Sequence, residues 1–443
     1  MRSQRHDVAA LSEAVLALCV QGARRYYDRM SDAPDPRQPA PGGLSPARLG
    51  TAPHRLMFFA GVVNVMLAMA WWAAWSAGLR WPGALTLPSP PLYPGWLHAF
   101  VMQYQMLPSF IFGFLLTTFP KWMKQPELAR SRFVPVGLAL IAGQLATLVG
   151  ALGSPLALQL GIALTLVGWV AGLAALAPML WREEGTTWHA RSCFAALVIG
   201  LVGLVAFGAF ARGAAMRWAP ISIKLGTFGV LLPLYFTIAH RMFPFFAGGA
   251  VARYQPWRPL WLLAAVWAAA ALRLGLDLAH APTLLWIPDA ALLGLTSLAW
   301  WRWWPRGPRP GLLGVLFVGL AWLPIAMALY TTDSVAFTAT GAHVLGRAPA
   351  HALFVGFFGS VLVAMVTRVT QGHSGRPLVM PRIAWFTFGA LQVVAIARIV
   401  GELTSDPHAW FAIAAGAWLV AFAPWVASVG VIYLAPRVDG KPG

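Results

Sequence analysis

Charge is what this sequence has least of. Only 10% of its 443 residues are Asp, Glu, Lys or Arg, and 59% are hydrophobic. A soluble domain carries roughly 25% charged residues, so an ordinary soluble fold is excluded. Cysteine is nearly absent too. Cys19 and Cys193 are far apart and form no CxxC, which rules out a disulfide scaffold and a structural zinc site. Walker loop, GxSxG and HExxH motifs are all missing, and with them the common nucleotide, hydrolase and zinc-protease signatures. Acidic side chains are scarce, leaving a net charge of +18. Such a balance suggests nucleic acid. Here the basic residues lie in short loops between apolar runs, so the expected partner is a lipid bilayer and no nucleic acid.

What the chain has in abundance is apolar length, with 43 glycines and 23 tryptophans. Such residues suit close helix packing and membrane interfaces. Runs of about twenty apolar residues each can span a bilayer as a helix. Twelve are present, at 57–79, 97–119, 133–151, 156–180, 190–212, 221–243, 258–280, 282–301, 311–330, 350–370, 382–402 and 409–434. The fold expected is all-α, a polytopic transmembrane bundle of about 12 spans. Residues 1–55 form an N-terminal tail, an amphipathic stretch at Leu11–Met30 followed by the Pro/Gly/Ala-rich Ser31–Pro46. Residues 56–435 form the membrane domain and 436–443 a short tail. Outside the spans, one set of loops holds only Arg80, Arg217 and Arg347, while the tails and the opposite loops hold the basic excess. The positive-inside rule then puts both termini, and both cysteines, on the cytoplasmic side of the inner membrane.

In a bundle with so few charges, the ten histidines are the chemical signal. Three stretches stand out. The first runs from Trp96-Leu97-His98 through Met102 and Met106 to Gly113-Phe114-Leu115-Leu116-Thr117. The second is His240-Arg241-Met242-Phe243-Pro244-Phe245-Phe246. The third runs from His351-Ala352-Leu353 through Arg368 to Gly372-His373-Ser374-Gly375-Arg376. Together they resemble the NnrS family of bacterial membrane proteins, over most of the chain from about residue 55 onward. The first stretch departs from the family pattern: Phe100 and Val101 stand where a second His and a Glu are usual.

The resemblance implies a twelve-helix cytoplasmic-membrane protein that binds haem, with copper as a further cofactor, in nitric oxide tolerance or denitrification. An oxidoreductase acting on nitric oxide, fed by an unidentified electron donor, falls within that expectation. By direction of span, His98 and His351 lie at one depth, and His343 in the preceding loop can approach them. These three are the candidate metal ligands. His373 follows His351 by 22 residues, about 33 Å of helix, so it belongs to the opposite face, where it could share a second site with His240. Arg241, Arg368 and Arg376 fall near that face and could hold haem propionates or lipid headgroups. His54, His189, His280 and His408 read as interfacial hydrogen-bonding residues, and Met102 and Met106 as packing. Arg273–Asp277 and Arg398–Glu402 have the spacing of intrahelical ion pairs. Lys224 can snorkel, and Asp289 lacks a local partner.

A twelve-span layout also fits a secondary transporter, but no six-plus-six repeat is visible.

Overall fold

The computed structural model describes residues 43–83, 87–307 and 309–440. The expectation of a helix at Leu11–Met30, and that for Cys19, lie outside the described residues. Within them there are no strands. Twelve helices are long and apolar enough to cross a membrane: α1 Pro53–Arg80, α2 Pro94–Trp122, α3 Arg130–Ala151, α4 Pro155–Trp181, α5 Trp188–Ala211, α6 Trp218–Ala250, α7 Leu260–Leu278, α8 Pro282–Trp303, α9 Gly311–Thr340, α10 Ala348–Ser374, α11 Arg382–Glu402 and α12 Pro407–Leu434.

Most spans fall where hydropathy puts them, and two differences are instructive. Helix α9 runs ten residues past its apolar stretch, through Thr331, Asp333 and Ser334. The hydroxyls of Thr331, Ser334, Thr338 and Thr340 each donate to the carbonyl four residues earlier, so the polar turns satisfy themselves within the helix. The helix ends at Gly341, whose φ of 75° is left-handed. Helix α10 likewise continues to Ser374 and stops at Gly375 with φ 76°. His373 therefore sits in the last helical turn and not in an exit loop.

The twelve helices are not equivalent. Over an apolar stretch of 18 residues in each, α2, α6 and α10 are 94%, 72% and 78% buried, whereas the other nine range from 28% to 61%. Three inner helices are thus enclosed by nine outer ones, and α12 packs on α1 to close the ring. The inner helices recur every fourth span, and each carries a π-helical stretch near its start, at Val101–Met106, Leu225–Leu231 and Ala352–Gly359. The arrangement is three units of four helices, which a search for two halves of six could not detect.

A π turn widens the helix and leaves backbone groups to be satisfied from elsewhere. The sequence supplies those partners. In α2, the Tyr104 carbonyl accepts from Trp169 Nε1 at 3.1 Å and the Gln105 carbonyl from Gln144 Nε2 at 3.0 Å. Gln103 Nε2 donates to Thr227 Oγ1 at 3.0 Å, joining the π stretches of α2 and α6. Gln105 Nε2 donates to Thr147 and Thr165, both at 2.8 Å, which ties α2 to α3 and α4. In α10, Ser360 accepts from Gln392, which itself accepts from Trp322. Small residues complete the packing: a Cβ on Gly161 would run into the backbone of Thr147, so the α3–α4 approach requires glycine there.

Candidate functional site

The starts of α2, α6 and α10 meet at one end of the bundle, and there the helices part around a cavity of about 400 Å³. Aromatic and thioether side chains form much of the wall, among them Trp72, Trp96, Trp418, Phe411, Met102 and Met106. Into this apolar space point a few polar groups: His98, Gln103, Lys224, Arg347, His351 and Arg398. A roomy apolar pocket with convergent polar groups has the form of a ligand site.

His98 is held by stacking. Its ring lies parallel to Trp72, with centroids 4.2 Å apart and an interplanar angle of 16°. Its Nδ1 is buried without a hydrogen-bond partner, a state that costs about 1–3 kcal/mol unless something occupies the site. The Gln103 Oε1 atom is buried and unpartnered in the same wall.

His351 is held by hydrogen bonds. Its Nδ1 lies 2.9 Å from the Arg347 carbonyl. A carbonyl only accepts, so Nδ1 carries the proton and Nε2 presents the lone pair. Arg398 Nη2 lies 3.0 Å from that Nε2 and 3.3 Å from Nδ1, which puts it over the face of the ring and leaves the in-plane lone pair open. Arg398 also pairs with Glu402 at 3.0 Å, as its i,i+4 spacing predicts. Its Nη1 is buried and unpartnered.

Lys224 does more than snorkel. Its Nζ lies 2.6 Å from Asp277 Oδ1. Asp277 also binds Arg273 at 2.9 Å, again an i,i+4 pair. Arg273 Nε binds Asp289 at 2.7 Å, so the acid without a local partner has one sixteen residues away on the neighbouring helix. Four alternating charges thus run from the cavity wall across α6, α7 and α8.

The structure brings His98 and His351 to one cavity and puts the other predicted residues elsewhere. His343 is not at the cavity. Its Nδ1 lies 2.7 Å from Asp333 and its ring stacks on Phe337, because the capping carboxylate on the extended α9 captures it. His240 and His373 do not meet. His240 Nε2 must donate to the Pro259 carbonyl, 3.1 Å away, so its Nδ1 accepts from His189 Nε2 at 2.9 Å. Both of its nitrogens are used. His373 packs on His54, with ring centroids 4.3 Å apart, at the far end of α10 from His351.

None of the three expected arginines reaches the cavity. Arg241 lies over Trp122 at 4.6 Å and Arg368 over Phe246 at 4.0 Å. Arg376, beyond the end of α10, keeps Nη1 buried and unpartnered, and burial holds its pKa below the ordinary arginine value. Gly113 and Gly356 face Phe58 and Trp322, while Gly95 and Gly359 line the cavity.

Sequence reasoning missed Trp72, Arg347 and the cavity-facing roles of Lys224 and Arg398. One signal was available. Arg347 is among the three basic residues that break the loop-charge pattern, and it lies four residues before His351.

Geometry and composition therefore define a twelve-helix membrane protein with a histidine-bearing cavity at one end of its three inner helices. The sequence profile described as NnrS protein matches residues 48–437. The chain belongs to the NnrS family. No curated protein shows significant similarity to it.

Proposed function

We propose that this protein is a haem-binding membrane protein of nitric oxide metabolism or tolerance, with its site in the His98–His351 cavity. One observation carries the reading: two histidines from parallel inner helices reach the same apolar cavity, one with an orphaned nitrogen and one with a fixed tautomer. The donor set favours a macrocycle over a bare ion. Among the described residues no three His, Cys, Asp or Glu side chains group as a metal set. A porphyrin brings four nitrogens of its own and asks the protein only for axial ligands. Copper would need further donors, and the soft ones at hand are Met102 and Met106.

A haem held by His98 or His351 would supply an iron centre able to take nitric oxide. The protein's own part is legible in its side chains. The Arg347 carbonyl fixes the His351 tautomer, so Nε2 is the nitrogen that would hold the iron. Trp72 fixes the plane of His98. The tryptophan, phenylalanine and methionine walls make most of the cavity surface apolar. Lys224, paired with Asp277, is a proton-bearing group at the cavity wall.

Assignment to the bacterial inner membrane, with both termini in the cytoplasm, rests on the loop charges and the family. The twelve-span carrier layout gains nothing from the fold, because the inner helices recur in three units of four.

An absorbance spectrum of the purified protein tests the proposal. A Soret band with reduced-minus-oxidised changes, altered by nitric oxide, is expected. A colourless preparation that takes up no added haem would overturn it.

A further inference from the structure

At the end of the bundle opposite the cavity, positive charge gathers with little to balance it. Arg48 lies in the short helix Pro46–Thr51 and Arg55 in the first turn of α1. Arg376 follows the end of α10, and Arg437 follows the end of α12. The fold brings these three parts of the chain together, so that Arg48, Arg376 and Arg437 each act on Arg55 as a positive neighbour. We propose that the four arginines form a binding site for a phosphate group, carried by the headgroup of an anionic phospholipid. The site is separate from the His98–His351 cavity, and the inference does not rest on the haem reading.

Three observations support it. First, the charge is not balanced. Asp439 pairs with Arg437 through both oxygens, at 2.8 and 2.6 Å. Arg48, Arg55 and Arg376 have no salt bridge among the described residues. Arg55 is held at the end of α12, where its Nη1 donates to the Tyr433 and Ala435 carbonyls at 3.1 and 2.8 Å. Those carbonyls fix its position and leave its charge unpaired.

Second, donors stand idle. Arg48 Nε and Arg376 Nη1 are buried without a hydrogen-bond partner, and so is His54 Nδ1 beside Arg55. The positive-inside rule accounts for cations in these segments, but water-exposed side chains satisfy it. It does not account for guanidinium nitrogens shielded from water and left without an acceptor, which costs free energy. A phosphodiester offers anionic oxygens in more than one direction, and so suits guanidinium donors that converge from different segments.

Third, apolar side chains stand exposed beside the charges. Leu378 and Val379 follow Arg376, and Leu44 precedes Arg48. Gln371 Nε2 donates to the Val379 carbonyl at 2.7 Å, which fixes that loop against the end of α10. A phospholipid places acyl chains directly below its phosphate and would cover such residues, whereas a free phosphate ion would not.

The tail after α12 completes the site. The Val438 N–H donates to the Ser374 carbonyl at 3.1 Å. Asp439 packs on Gly375, where an added Cβ would run into the carboxylate. Glycine at that position thus lets the tail close in and bring Arg437 to the other arginines.

Lipid competition tests the proposal. Full-length protein in detergent is mixed with phosphatidylglycerol, with phosphatidylcholine or with inorganic phosphate. Bound lipid is measured by native mass spectrometry and thermal unfolding is followed in parallel. One charge-assisted contact corresponds to about a tenfold change in binding constant, and wild-type protein should prefer phosphatidylglycerol over zwitterionic phosphatidylcholine by at least about that factor. In Arg48→Gln/Arg376→Gln the preference should shrink to within about threefold. Arg182→Gln/Arg382→Gln removes two exposed charges at the same end but outside the cluster, and should leave the preference unchanged. Should the first double variant fail to fold, Arg376→Gln alone should still lower the preference by about threefold. Equal binding of the two lipids by wild-type protein, or an equal loss in both double variants, overturns the site. Stabilisation by inorganic phosphate without any lipid preference overturns the phospholipid as its ligand.

Discussion

The two ends of the bundle each hold a pair of histidines, and the pairs differ in what surrounds them. His98 and His351 face a cavity of about 400 Å³, one with an unpartnered nitrogen and the other beneath the Arg398 guanidinium. His54 and His373 pack ring to ring at the opposite end, where their neighbours include Lys121, Arg55 and Arg437. The first pair borders open volume, whereas the rings of the second pack against each other. Proximity of two imidazoles is therefore a weaker sign of a site than imidazoles bordering open volume.

Substitution separates the ends most sharply. In the double variant His98→Ala/His351→Ala the Soret band should be lost, while His54→Ala/His373→Ala should keep it with unchanged position. Loss of the band in the second variant alone would move the site to the other end.

Stability gives the next contrast, since among the described residues a buried charge network braces the cavity end. Removing Arg273 strands Asp289, which is fully buried. Breaking such a pair costs about 3–5 kcal/mol. Denaturant or thermal unfolding of Arg273→Ala in detergent should show a loss of that order, and a change below about 1 kcal/mol would mean the pair contributes no more than a surface bridge.

The polar ties of the π stretches come third. Gln105→Leu removes the shared donor of Thr147 and Thr165 and should destabilise by about 1–3 kcal/mol. The loss should appear without any shift in a bound haem's spectrum, because Gln105 is not at the cavity.

The smallest effect concerns the exposed bridge between Arg80 and Asp406, 2.5 Å long. The hydrogen bond from Arg80 holds the Asp406 carboxyl below its ordinary pKa. A depressed carboxylate contributes stability above the unfolded value, near 4, and loses it as pH falls through the folded value. Asp406→Asn should therefore shift the unfolding temperature only slightly at neutral pH, and the difference from wild type should vanish in acid.

How much of this was legible in advance varied with the kind of residue. Spans were read well because lipid imposes one requirement, apolar length, on every one of them. Extent failed where polar residues satisfy themselves locally, as in Thr331–Thr340 of α9. His98 and His351 were legible because span direction fixes depth. His343 was not, since its capture depends on Asp333 remaining helical. Asp289 looked partnerless because its arginine lies on another helix.

Sequence by itself determined the class, the number of spans, the common level of His98 and His351 and the distance of His373 from them, because hydropathy and helix rise are local, additive properties. Tertiary structure alone decided that α2, α6 and α10 are the inner helices, that Lys224, Arg347 and Arg398 share a wall with His98 and His351, and that His240 and His373 never meet. Depth is a coordinate along the membrane normal, and the chain fixes it. Azimuth around the bundle is set by which side chains satisfy one another across helices, through contacts such as Gln103 to Thr227 and Arg273 to Asp289, and no single span records it.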